Sequence, residues 1–268
     1  MRRPRYDSRS VSVSVSVSVS VSVSVWFFTP SYPPLTRQSS AQEEEEEEEE
    51  EEQQTEAAEE SVYLYVGRDA KPAFQYKIED ILSKQELHGE PVQVKTFRSI
   101  AKEAMRAVAW APDCGLVLFP PFYSYPDFSP EAARDLRNFV RGGSNVSGTV
   151  LFVGGGLEIS VMNKLFDFNV HSEYVAGPYY KNERYVKPDS SFATLPDLIP
   201  EVGNVYGMVV STLPPNSRSF YDSFGVSVAA CVRYDLGRVC FLAQDFLDVL
   251  KDEVAPWSQL LQALLNYE

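Results

Sequence analysis

The chain has 268 residues, with 24 Lys and Arg against 38 Asp and Glu and a formal net charge of −14. That length holds one large domain or two small ones, and the surplus of carboxylates counts against a nucleic-acid partner, whose phosphates require a basic excess. Three cysteines without C-x-x-C spacing and two distant histidines, His88 and His171, fall short of the roughly four clustered ligands of a zinc site. Neither a metal nor any other cofactor is therefore expected.

The acid is unevenly spread. Residues 1–60 hold five Lys or Arg and fourteen Asp or Glu, and residues 61–268 hold nineteen and twenty-four. Residues 11–25 alternate Val and Ser without a break, and residues 43–52 are all Glu. The alternation has the period of a strand, whereas the glutamate run repels itself and reads as a solvated spacer. Residues 1–60 are thus expected to be a disordered low-complexity segment, and residues 61–268 the folded domain. Arg2, Arg3 and Arg5 ahead of the repeat resemble the start of a signal peptide, but half of the would-be apolar segment is Ser and no small-residue cleavage site follows. No later stretch reaches the ~20 apolar residues of a membrane span. Cys231 and Cys240 lie in apolar runs, where a cysteine usually serves as a small core residue. A cytoplasmic, reducing setting is expected, with secretion as the alternative. The sequon Asn145-Val146-Ser147 would matter only in the secreted case.

From Ser61 the pattern becomes that of an α/β domain. Residues 61–66 form a β-rich run ending at Gly67. Residues 72–84 place Phe74, Ile78, Ile81 and Leu82 at helical spacing. Val92, Val94 and Phe97 mark a second strand, and residues 100–108 a second helix. Residues 115–119 are apolar throughout, as in a parallel strand covered on both faces. Ser129 then caps a helix with Pro130 at its first position and Gly142-Gly143 at its end. Residues 149–153 form a fourth strand, followed by Gly154, Gly155 and Gly156 and a helix through Val161 and Leu165. Strand and helix alternate four times, which predicts a doubly wound, mostly parallel sheet. Residues 206–212, 226–234 and 238–243 read as further strands, the last two joined by a turn at residues 235–237 into an antiparallel hairpin extension. Residues 255–267 close the chain as an amphipathic helix.

Three local features resemble the class I glutamine amidotransferase-like superfamily, in particular its non-glutaminase branches, the ThuA-like domains and the domain at the start of an intraflagellar-transport subunit. They are the unit running from the strand at 115–119 through the helix to Gly142-Gly143, the strand and sharp turn at 150–156, and the strand at 237–243. The resemblance implies a flavodoxin-like fold with a nucleophile elbow after the fourth strand and a catalytic histidine after the last. Both are vacant. Gly156 stands at the nucleophile position, Glu158 replaces the trailing glycine, and residues 244–248 carry Gln244 and Asp245 where the family has His-x-Glu. A nucleophile without a base within reach is inert, so no catalytic residue is expected and the domain reads as a pseudoenzyme.

What remains is a Gly-rich turn at a helix N-terminus, which points backbone N–H groups at an anion, at the carboxyl ends of the strands, where open α/β sheets bind ligands. The candidate ligand pocket is Gly154, Gly155, Gly156, Glu158 and Asp245. The bland alternative is that three glycines satisfy a tight bend and nothing more. The aromatic loops at 119–128 and 174–185 could stack on a ligand, or simply pack the loops onto the domain. The expected function is a non-catalytic binding or assembly module for a small molecule or protein of unknown identity. The rivals are a ThuA-like sugar-processing enzyme using Glu158 and Asp245 as its acid/base pair, and a secreted carbohydrate-binding protein.

Overall fold

Short apolar runs, each ended by a turn and followed by an amphipathic stretch, organise the first half of the domain. The computed structural model describes residues 60–142, 148–203, 205–246 and 251–267, all within one compact unit, Thr55–Glu268. The Val-Ser repeat, the glutamate run and the sequon at 145–147 lie outside the described residues.

Strand β1 (Ser61–Tyr65) leads into helix α1 (Pro72–Leu82), and a small hairpin of β2 (Glu86–Leu87) and β3 (Glu90–Pro91) precedes β4 (Gln93–Phe97). Helix α2 (Lys102–Ala109), β5 (Cys114–Phe119), α3 (Pro130–Val140), β6 (Thr149–Val153) and α4 (Gly156–Phe166) follow. Apart from the β2–β3 hairpin, which was not expected, these match the sequence expectation closely. Ser129 accepts a hydrogen bond from the Ala132 N–H at 3.1 Å, Pro130 takes the first helical position, and Gly142 ends the helix with φ of 84°. The Ser129 cap satisfies one of the orphan donors at the helix start and contributes about 1 kcal/mol.

The second half holds more strand than its sequence suggests. β7 (Ser172–Val175), β8 (Tyr179–Lys181), β9 (Leu198–Ile199), β10 (Val205–Val209), β11 (Ser217–Ser223), β12 (Val226–Tyr234) and β13 (Gly237–Leu242) precede the closing helix α5 (Lys251–Leu265). The strand expected over 206–212 stops at Val209, where residues 210–212 tighten into a 3-10 turn. β11 and β7 to β9 were not anticipated.

Among the described residues, one sheet of eleven strands collects all but β2 and β3, in the order β4-β1-β5-β6-β13-β12-β11-β8-β9, with β10 pairing to β12 and β7. β4, β1, β5, β6 and β13 are mutually parallel, and the antiparallel half begins at β12. The antiparallel part is therefore a block of strands inserted between β6 and β13, larger than the hairpin expected. Placing β13 beside β6 brings the end of the last strand next to the end of the fourth. Phe119 of β5 stacks on Phe152 of β6 with centroids 5.2 Å apart, and fully buried Trp257 of α5 meets Tyr179 edge-on at 5.6 Å.

The β12–β13 register corrects one expectation. The turn at residues 235–236 sets Cys231 directly opposite Cys240, and the two form a disulfide instead of serving as separate core thiols. Spacing alone did not reveal this, because cysteines nine residues apart face each other only once the turn is fixed at two residues. Cys114 is a buried free thiol.

Candidate functional site

At the ends of β6 and β13 the backbone turns away from the sheet and leaves a cleft of about 370 Å³. All five residues named from sequence line it: Gly154, Gly155, Gly156, Glu158 and Asp245. They are joined by Lys71 from the loop after β1, Phe122 from the loop after β5, Tyr206 of β10 and Gln244. Gln244 adjoins Asp245 and Phe122 belongs to the aromatic loop at 119–128, both marked in the sequence, whereas nothing local to Lys71 or Tyr206 signals that they meet here.

Glu158 is held from within the fold. Its side chain is 3% exposed. Oε2 accepts from the Gly155 N–H at 2.5 Å and Oε1 from the Phe122 N–H at 2.6 Å. One carboxylate thus satisfies the donor at the start of α4 and fastens the loop after β5 to the elbow. The Gly155 donor that a bare Gly-rich turn would offer to an external anion is engaged from within. Burial pushes the carboxyl above its ordinary value, and the N–H groups of Phe122 and Gly155 act in the opposite direction. Gly154 makes the arrangement fit. Its φ of 146° lies where side chains are strained, and a Cβ there would overlap the Glu158 carboxylate.

Around this knot the cleft is partly polar. Asp245 sits 3.8 Å from the ammonium of Lys71, with both side chains about two-fifths exposed, so the pair is worth at most about 1 kcal/mol. Gln244 is buried. Its Oε1 accepts from the Phe246 N–H at 2.8 Å, which fixes the amide orientation, and its Nε2 donor is buried with no partner among the described residues. Buried donors are almost always paired, so this amide is the least satisfied group of the cleft.

The loops beside the cleft are tied down by Asp69. Its carboxylate accepts from Tyr65 Oη at 3.2 Å and Ser124 Oγ at 3.1 Å, and its carbonyl accepts from the Tyr123 N–H at 2.6 Å. Burial first, and Asp69 second, push the Tyr65 hydroxyl up to about 12. Of the aromatic loop at 119–128, Phe122 and Phe128 pack against Phe119, whereas Tyr123 faces outward. Of the later tyrosines, Tyr179 is buried and Tyr174 and Tyr180 are exposed. Neither histidine lines the cleft: His88 lies in the β2–β3 turn and His171 directly before β7. No group of three or more His, Cys, Asp or Glu capable of holding a metal occurs among the described residues, and no helix among them is long and apolar enough to cross a membrane.

No family model matches this sequence. No curated protein matches it either. Among solved structures it is similar to the cytoplasmic protein STM1381 from Salmonella typhimurium LT2, at 14% identity over 76% of this chain and 98% of that one, with a TM-score of 0.48. The cytoplasmic protein STM3548 from Salmonella typhimurium is similar at 10% identity, over 76% and 97%, again with a TM-score of 0.48. The exo-beta-1,4-mannosidase Op5Man5 from Opitutaceae bacterium strain TAV5 is similar at 14% identity, with a TM-score of 0.45. That likeness covers 83% of this chain but only 39% of the mannosidase. At these values the likeness stops short of a shared function.

Proposed function

We propose that residues 61–268 form a non-catalytic, amidotransferase-like binding module whose elbow cleft holds a small polar ligand. The observation that carries this reading is the state of the elbow. Gly156 supplies no nucleophile, and Glu158 spends both oxygens on backbone N–H groups. What the cleft offers instead is recognition chemistry: the unsatisfied Nε2 donor of Gln244, the cation of Lys71 and the anion of Asp245. These suit a small amide or carboxylate that places an acceptor against Gln244. The flavodoxin-like, doubly wound description belongs to the same proposal, supported by the parallel order β4-β1-β5-β6-β13. A ThuA-like sugar-processing reaction is the weaker reading. Glu158 and Asp245 do line one cleft, but a carboxylate held by two N–H donors is poorly placed to exchange protons with a substrate.

A cytoplasmic setting is likewise a proposal, and the Cys231–Cys240 bond counts against it, since disulfides persist in oxidising compartments. Differential alkylation of the protein straight from cells decides: two free thiols at these positions support the cytoplasm, a protected pair the alternative.

The binding role is tested by thermal shift of the full chain against amino acids, amides and small carboxylic acids, since a native-state ligand raises apparent stability. A shift that Gln244→Ala and Lys71→Ala both abolish is expected. Turnover of glutamine or of a nitrophenyl glycoside that disappears in Glu158→Gln would sink the non-catalytic reading.

A further inference from the structure

A second cavity, of about 570 Å³, opens at the other end of β13 from the elbow cleft. It lies where β11 begins, β12 ends and β13 begins, and its charged lining residues are Lys187, Arg218, Arg233 and Arg238, with no Asp or Glu. For a domain with more acidic than basic residues, this is a local inversion of charge. Cations brought together repel one another, and the cost grows as water is excluded.

Two features hold the cations in place. The ring of Tyr267 lies under the Arg238 guanidinium at 5.2 Å and near that of Arg218 at 6.0 Å. Cation–π contact keeps a planar guanidinium oriented while its N–H groups remain able to donate. Arg233 is anchored by its Nε, which donates to the Asp235 carbonyl at 3.2 Å. The third element is Ser217. The residue lines the cavity, and its buried Oγ has no hydrogen-bond partner among the described residues.

We propose that this cavity binds a phosphate group, free or as a monoester. A tetrahedral dianion presents three terminal oxygens, enough to engage the guanidiniums of Arg218 and Arg233, the Lys187 ammonium and the orphaned Ser217 hydroxyl together. A carboxylate has only two. Charge-assisted bonds from several guanidiniums are among the strongest polar contacts available to a protein. The volume falls within the usual range of small-ligand sites and leaves room for an organic group beside Tyr185. The site is independent of the elbow cleft and stands whether or not that cleft binds anything.

The test is calorimetric titration of the full chain at constant ionic strength with inorganic phosphate, with phenyl phosphate and with phenol. Saturable binding of at least one phosphate probe, none of phenol, and roughly tenfold weaker binding in the double variant Arg218→Gln/Arg233→Gln are expected. Ser217→Ala weakens binding by a smaller factor, and Gln244→Ala leaves it unchanged. Equal affinity for the two phosphate probes assigns the site to the free ion, and tighter phenyl phosphate assigns it to a monoester. Arg218→Lys/Arg233→Lys, which keeps the charge, controls for folding and retains part of the affinity. Absence of saturable binding at millimolar phosphate, or equal binding by wild type and the Gln double variant, overturns the proposal.

Discussion

Glu158 joins two segments, the start of α4 and the loop carrying Phe122, whose other direct hydrogen bond among the described residues runs from Tyr125 Oη to the Ser160 carbonyl at 3.4 Å. Truncating it to Ala removes two hydrogen bonds to a carboxylate and leaves two N–H groups unpaired. Stability should fall by roughly 3 kcal/mol in denaturant titration. The pH dependence has a definite sign. Because burial raises the folded-state value, the proton-linked part of the Glu158 contribution is fully present below the ordinary glutamate value of 4.5 and is lost as pH rises through the raised one. The stability of wild type relative to Glu158→Gln should therefore decline from acidic to neutral pH. A gap that widens instead would mean that the N–H donors outweigh burial. Gly154→Ala tests the same knot from the other side, combining a strained φ with overlap on the carboxylate. A loss of about 2 kcal/mol or more is expected.

At the level of elements, the first half was legible because each segment obeys one rule. β5 and β6 are apolar throughout and α3 carries its own start and stop signals, so burial and capping agree with local preference. β11 was missed because its residues, Ser217–Ser223, mix Ser, Arg and Asp with Phe and Tyr. Two of its polar members pair outside the strand: Ser219 Oγ lies 2.8 Å from Ser227 Oγ, and Asp222 accepts from Asn182 at 3.1 Å. Such pairings have no local signature. The same holds for the cleft, where the glycines announce the bend but nothing announces that Glu158 turns back to fill it. The β12–β13 hairpin gives a direct test. Its disulfide closes a loop with a sequence separation of nine, and removing that constraint from the unfolded chain should cost about 2–3 kcal/mol. Cys231→Ala/Cys240→Ala should lower the denaturation midpoint accordingly, with the secondary-structure signal kept because β13 still pairs with β6.

On the scale of the whole domain, the sheet carries two differently lined cavities at opposite ends of β13. The elbow cleft is a mixed polar site built on the turn after β6, and the basic cavity sits beneath the start of β13. The strand order makes this division: inserting the antiparallel block between β6 and β13 gives β13 a parallel neighbour on one side and an antiparallel one on the other.

The ends of that strand order govern how the molecule behaves in a crowd of its own copies. β9 closes one margin with only two residues, too short to template another chain. The opposite margin is β4, five residues whose side chains are all exposed or half-buried. Lys95 at its centre is bound to Asp113 at 2.6 Å. A charge in mid-strand is a deterrent to edge-to-edge assembly. Lys95→Val should therefore leave the fold intact and raise light scattering during mild heating, so that a single lysine separates a chain that stays dispersed from one that stacks on itself.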